Sequence, residues 1–208
     1  LGPTAAVTST QALNQLTFEG GNLIEVSRGN ATANNAVVTI ANAIRSNAGT
    51  LTIVTTGGAF NAATGTDTKL TLTQINGVAP AVVNGMIAPW IIDHSTASTP
   101  SFVTSGVTGL GPVAYTAAAD AATLQGLTAG TAIANVTTAL TLTNSNTSVY
   151  ALRVQDVAIS GAFNITIGSG ASASDGAGLI LSASAARTHA NNWIFGTAGN
   201  REAVIYNS

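Results

Sequence analysis

Cysteine is absent, so the chain has no disulfide framework and no thiolate metal site. Charge is nearly absent too: 7% of the 208 residues are charged, against about 25% in an average domain. The cations are Lys69 and five arginines, Arg28, Arg45, Arg153, Arg187 and Arg201. Six scattered cations make no basic stripe, which argues against nucleic acid as a partner. No block of like charge marks an interaction tail. No apolar run reaches the roughly 18 residues that a membrane-spanning helix requires. Aromatics make up 5% and histidine occurs twice.

Hydrophobic residues make up 46%, mostly the small and branched ones, and Thr and Ala are abundant. Disordered chains are charge-rich and poor in β-branched residues, so this chain is expected to fold. Its surface must then be polar through Thr, Ser, Asn and Gln. Such a surface offers little electrostatic repulsion and permits self-association. The first residue is Leu1 rather than Met and no signal peptide stands before it, so the expectation is a processed protein or a piece of a longer one.

Short strand-like segments separated by Gly, Asn and Ser dominate the pattern. They are expected at 16–18, 23–26, 37–40, 51–55, 69–75, 139–143, 149–154, 157–159, 163–167, 179–181, 193–195 and 203–206. Several alternate apolar with Thr, as at Leu51-Thr52-Ile53 and Leu140-Thr141-Leu142, the mark of a half-buried strand. Turn chemistry stands between them: Gly20-Gly21-Asn22, Gly29-Asn30, Asn47-Ala48-Gly49, Gly57-Gly58, Asn76-Gly77, Asn84-Gly85 and Asp175-Gly176. Helical signals are weak, at 31–44 and, better, at 115–124.

The expected fold is therefore all-β, a β-solenoid or β-helix-like stack of rungs, with an elongated β-sandwich as the alternative. Small core residues and sparse charge favour the solenoid. Residues 1–76 and 116–208 read as two strand-rich rung regions of one continuous domain. Between them lies a small proline-rich insert, residues 77–115, with Pro80, Pro89, Pro100 and Pro112 breaking any continuous ladder. Trp90, Phe102 and Tyr115 are its expected packing anchors.

The segment Asn84-Gly85-Met86-Ile87-Ala88-Pro89-Trp90-Ile91-Ile92, then Phe102-Val103-Thr104, then Gly109 to Tyr115, carries a family resemblance. It resembles the autotransporter-associated β-strand repeat proteins, in which N-G-x-x-x-P-W-A-x-x precedes F-A-T-Y and G-x-x-x-x-x-Y. Residues 16–26 and 44–53 resemble the rungs before that segment, and 193–206 the rung after it. The chain departs from the pattern at Ser105, where the family has Tyr. It also lacks the N-T-Y-T-G-x-T repeat and the membrane barrel. The resemblance implies a secreted, bacterial-type passenger module with a β-solenoid fold and no catalytic residues.

Candidate chemistry is thin. Asp93, His94 and Ser95 invite a triad reading, but neighbours on a strand point to opposite faces, so a polar loop is expected instead. His189 sits in a second loop, and two lone histidines do not make a zinc site. Glu19 and Glu25 would meet on neighbouring rungs, as would any two residues at such spacing, and a glycosidase needs a tuned pair. The segment 172–178 holds one carboxylate, too few for calcium. Thr-x-Thr strands (Thr50/Thr52, Thr71/Thr73, Thr141/Thr143) suggest ice-binding ranks, although Thr simply suits a solvated strand face. Sequons at Asn30, Asn135, Asn146 and Asn164 follow from composition.

The expectation is no enzyme, with no catalytic residue, no cofactor and no metal. The expected function is structural: an extracellular or cell-surface subunit or module of a fibre, filament or matrix, its partner another copy of itself. The segments 1–15 and 202–208 are the expected shared strands. The alternative is an adhesin or phage-fibre-like module that binds surface glycans through Trp90, Trp193, Tyr115, Tyr150 or Tyr206.

Overall fold

The computed structural model describes residues 7–28, 35–60, 67–96, 98–106, 109–168, 176–196 and 202–208. By its contacts the chain divides into two compact units, Leu1–Thr96 with Phe102–Val113, and Ala97–Ser101 with Ala114–Ser208. The described residues are all-β apart from one five-residue helix.

The first unit contains β1 (Thr8–Phe18), β2 (Gly21–Ser27), β3 (Asn35–Arg45), β4 (Thr50–Thr56), β5 (Ala59–Phe60), β6 (Asp67–Leu72), β7 (Ala88–Asp93), β8 (Ser101–Gly106, its first residue in the second unit) and β9 (Gly109–Pro112). They form two sheets, ordered β1-β3-β6-β5 and β2-β4-β7-β8-β9. The pairs β1–β3, β3–β6, β2–β4 and β4–β7 are parallel, and the β8–β9 hairpin is antiparallel. Alternation explains β4 directly: Leu51, Ile53 and Thr55 point inward and are buried, while the residues between them are not.

The weak helical signal over 31–44 is corrected where it is described, because 35–45 is strand β3. Val37, Val38, Thr39, Ile40 and Ile44 supply β-branched side chains that suit a pleated, half-buried surface. Successive circuits approach closely at the turns. A Cβ on Gly49 would stand 2.9 Å from Glu19 Cα and 3.0 Å from the Phe18 carbonyl oxygen, so the position excludes a side chain.

The expected break of the ladder by the prolines of 77–115 is corrected: this stretch supplies β7 to β9 to the first unit's second sheet, because Pro89 precedes the residues of β7 that pair with β4 and Pro112 ends the outer strand β9. Two Asn-Gly turns lead into them. Asn76 and Gly77 have φ of 52° and 80°, and Asn84 and Gly85 have 51° and 89°, so both turns are left-handed at two successive residues. Each closes a narrow antiparallel bridge, Ile75 to Val78 and Val83 to Met86. Trp90 and Phe102 are buried anchors. Trp90 packs on Phe18 with ring centroids 5.8 Å apart, and the Arg45 guanidinium lies 4.7 Å over its ring.

The second unit contains β10 (Thr116–Ala118), α1 (Ala121–Gln125), β11 (Ile133–Val136), β12 (Leu140–Leu142), β13 (Thr147–Val149), β14 (Ala151–Gln155), β15 (Ile159–Gly161), β16 (Ile165–Ile167), β17 (Ala177–Ser182), β18 (Trp193–Phe195) and β19 (Ala203–Asn207). Its three sheets, β10-β11-β14-β17-β19, β12-β15 and β13-β16-β18, are parallel throughout. The chain visits them in turn: β11, β12, β13, then β14, β15, β16. Their inward residues form one core, with Leu142, Val149, Leu152, Ile159 and Ile165 among its buried members. Gly161 has φ of 109° and lies against Leu142, whose backbone carbonyl would collide with any Cβ there.

The weak helical signal over 115–124 is corrected over 116–118, which is strand β10, and holds over 121–124, within α1, which is closed at its N-terminus by Asp120, whose side chain accepts from Thr123 N. The helix packs on β10, β12 and β13, with Leu124 fully buried. Arg153, on β14, lies 3.8 Å over the Tyr115 ring, donates from Nε to Asn135 Oδ1 and from Nη1 to the Pro100 carbonyl. Burial holds its pKa below the ordinary arginine value, which Tyr115 partly offsets.

Candidate functional site

The Asp93-His94-Ser95 group is a turn, not a triad. Asp93 Oδ1 accepts from both Ser95 N at 2.9 Å and Ser95 Oγ at 2.5 Å. Ser95 Oγ in turn accepts from Thr55 N, so the hydroxyl serves to close the edge of β4. The His94 backbone N–H donates to the Ile53 carbonyl and continues the β4–β7 ladder. Glu19 and Glu25 engage separate partners on the following circuit: Glu19 Oε2 accepts from Asn47 and Glu25 Oε1 from Thr56.

The Thr-x-Thr pairs fall on, or beside, β4, β6 and β12, which belong to three different sheets, so they form no single rank. Of the calcium candidate segment, 172–175 lie outside the described residues, as do Gly29, Asn30 and Arg201. No group of three or more metal-ligating side chains occurs among the described residues.

Of the aromatic candidates, Trp90 and Tyr150 are buried, while Tyr115, Trp193 and Tyr206 are half-buried. Tyr150 is 2% exposed and Trp90 is 9% exposed. Trp193 packs against the core of the second unit, and His189 meets its ring edge-on at 5.3 Å. His189 Nδ1 accepts from the Ile159 N–H at 3.2 Å, and the Ala190 N–H donates to the Ile159 carbonyl. The imidazole thus stands where a strand's backbone would pair with β15. Burial lowers its pKa, and accepting at Nδ1 requires the neutral ring as well.

Beside it lies a cavity of about 470 Å³ lined by Asp156, Val157, Ser182, Arg187 and His189 among others. Asp156 is held from two sides: neighbouring Ser184 Oγ donates to its Oδ2 at 2.7 Å, and Arg187 Nη2 donates to its Oδ1 at 2.7 Å. The serine hydrogen bond first, and Arg187 next, hold the Asp156 carboxyl below its usual range.

A feature not visible in the sequence runs up the second unit. Asn146 Oδ1 accepts from Asn164 N, and Asn164 Oδ1 accepts from Asn192 Nδ2. These asparagines stand just before β13, β16 and β18, so their side chains continue the register of those strands into the turns. Irregular spacing along the chain hides it from any search for a fixed period.

What remains open are the edges. β1 is the outer strand of its sheet, and Thr8 through Gln15 are all exposed. Leu13 stands at the end of a column, opposite Ile40 and then Leu72, with exposures of 38%, 0% and 3%. In the second unit, Ala134, Leu152, Leu179 and Ile205 form another column. Their exposures are 0%, 0%, 3% and 56%. The terminal member of each column is an apolar residue in a core position with nothing stacked on it among the described residues. Neither β1 nor β19 contains a charged residue or a proline, the usual devices that block edge pairing. No helix of the described residues is long and apolar enough to cross a membrane.

Compared with family models, with curated proteins and with solved structures, the chain matches none.

Proposed function

We propose that the chain is a structural, extracellular module: a β-solenoid of the autotransporter-associated repeat type, secreted by a bacterium, that joins copies of itself into a fibre or matrix through its bare strand edges. The solenoid reading is supported by in-register parallel pairing between successive circuits and by the asparagine ladder. The observation that carries the functional reading is the Ala134–Leu152–Leu179–Ile205 column, buried for three members and 56% exposed at the fourth. A second copy adding its β1 edge beside β19 would bury Ile205 and Leu13 and extend both sheets. A contact between two different edges is head-to-tail and grows an open filament unless it closes into a ring.

Electron microscopy and sedimentation of the full chain test this directly. Filaments with an axial repeat are expected, lost in Ile205→Lys and in Leu13→Lys while each variant keeps its β circular dichroism. A chain that stays monomeric at every concentration, or filaments unchanged in both variants, would overturn the proposal.

A further inference from the structure

The two Asn-Gly turns differ in one respect that bears on covalent stability. At Asn76-Gly77 both reacting groups are held. Asn76 Oδ1 accepts from the Arg45 N–H at 2.8 Å, and the Gly77 N–H donates to Asn42 Oδ1 at 3.0 Å. The Asn76 N–H donates to the Ala43 carbonyl as well, so this turn extends the β3–β6 ladder. At Asn84-Gly85 the turn is closed only by the hydrogen bonds between Val83 and Met86, 2.8 and 3.0 Å long. Both residues are exposed, and neither the Asn84 side chain nor the Gly85 N–H has a partner among the described residues.

We infer that Asn84 is a site of spontaneous deamidation, and that Asn76, with the same Asn-Gly sequence, is protected by the fold. The Gly85 backbone nitrogen gives its proton to solvent base and attacks Asn84 Cγ. A C–N bond forms, the bond to the side-chain nitrogen breaks, and that nitrogen leaves as ammonia after taking up a proton. The product is a five-membered succinimide. Water opens it at either carbonyl, giving aspartate or an isoaspartyl link, with no oxidant or reductant involved. Glycine favours the attack because no Cβ crowds its nitrogen. Both turns start from a left-handed asparagine and must open locally to react. At Asn84 only the side chain and the turn move. At Asn76 the Arg45 and Asn42 bonds must break first, which slows the reaction on the order of tenfold. The isoaspartyl product adds a main-chain carbon to a two-residue turn and a negative charge to a nearly uncharged protein, two residues before the buried Met86.

The test is a time course of the intact chain at mildly alkaline pH, read by mass spectrometry with fragmentation between the two asparagines. A gain of about one dalton is expected at Asn84 well ahead of Asn76. In urea the two sites should convert at similar rates, and Asn42→Ala should raise the native rate at Asn76 toward that at Asn84. Equal native rates, faster reaction at Asn76, or the same site ratio in urea as in buffer would each overturn the inference. An Asn76 rate unmoved by Asn42→Ala in a folded variant would overturn its hydrogen-bond basis.

Discussion

At its first circuit the core of the second unit is closed by α1; at its last it stops at β19 with Ile205 left uncovered. The two ends differ in how their polar groups are satisfied as much as in what covers their apolar ones. At the capped end, Thr147 Oγ1 donates to the Leu124 and Leu127 carbonyls, the Ser148 N–H donates to the Leu127 carbonyl, and Gln125 Nε2 donates to the Ser145 carbonyl. The strand edge is sealed by specific hydrogen bonds, and Leu124 fills the space above the core. At the other end the sheet β10-β11-β14-β17-β19 ends on a strand without a neighbour among the described residues, and the same kind of column is left unfinished. One chain thus shows both what a closed end of a parallel stack looks like and what it has left open.

The largest expected effect tests that asymmetry. Leu124→Ala should cost about 2–5 kcal/mol, the range for a fully buried leucine that leaves a cavity. Ile205→Ala removes a comparable side chain from an equivalent column, yet should cost less than about 1 kcal/mol in the isolated chain, since more than half its surface is already in water. Chemical denaturation of both variants at a concentration where the protein is dispersed measures the difference. Equal losses would mean that Ile205 is covered in solution.

Next in size is Thr147→Val, which keeps the volume but strips the hydroxyl that serves two carbonyls of the cap. A loss of about 1–3 kcal/mol is expected, since Thr147 is 1% exposed and water cannot easily replace the bond. Thr147→Ser should recover most of it. A neutral Thr147→Val would show that the hydroxyl adds nothing to what Leu124 packing and the remaining cap hydrogen bonds supply.

Most of the strands were legible in the sequence, because their signals are local. Period-two alternation located β4 and β12, and Gly and Asn punctuation located the turns, including both Asn-Gly bridges. Two kinds of feature were not legible. β11 was missed because Ile133-Ala134-Asn135-Val136 is too short to show a period, and its strand character comes from pairing with β14. The first half of β1 was missed for a similar reason: Thr8 to Gln15 is mostly polar, exposed, and ordered by register against β3. At the candidate site, the bare edges depend on what stacks on what, which only the assembled sheets reveal. The ladder of Asn146, Asn164 and Asn192 joins residues of unequal spacing, and the role of His189 rests on one backbone N–H thirty positions earlier.

That histidine yields the smallest expected effect and sharpens the comparison of the two ends. At the capped end the edge groups of β13 are satisfied by neutral hydroxyl, amide and carbonyl groups, so mild acid leaves them unchanged. Near the open end, the Ile159 N–H relies on the Nδ1 lone pair of His189, which a proton abolishes. Burial lowers the folded-state pKa below the ordinary 6.5, so the unfolded chain binds this proton first as pH falls. Stability from this group is complete above about 6.5 and is lost as pH drops through the lower folded-state value. Asp156, paired with Arg187 in the same cavity, has its own pKa lowered and stays charged across this window, so it does not mask the effect. The ring is partly open to solvent, so the change is modest: a small fall in melting temperature between neutral pH and pH of about 5, made smaller still by His189→Gln, whose amide oxygen accepts the same N–H without titrating. A melting temperature that rises on acidification, or a fall that His189→Gln leaves unchanged, would show that the open end is held by the β16–β18 ladder and the packing of Trp193 rather than by the imidazole.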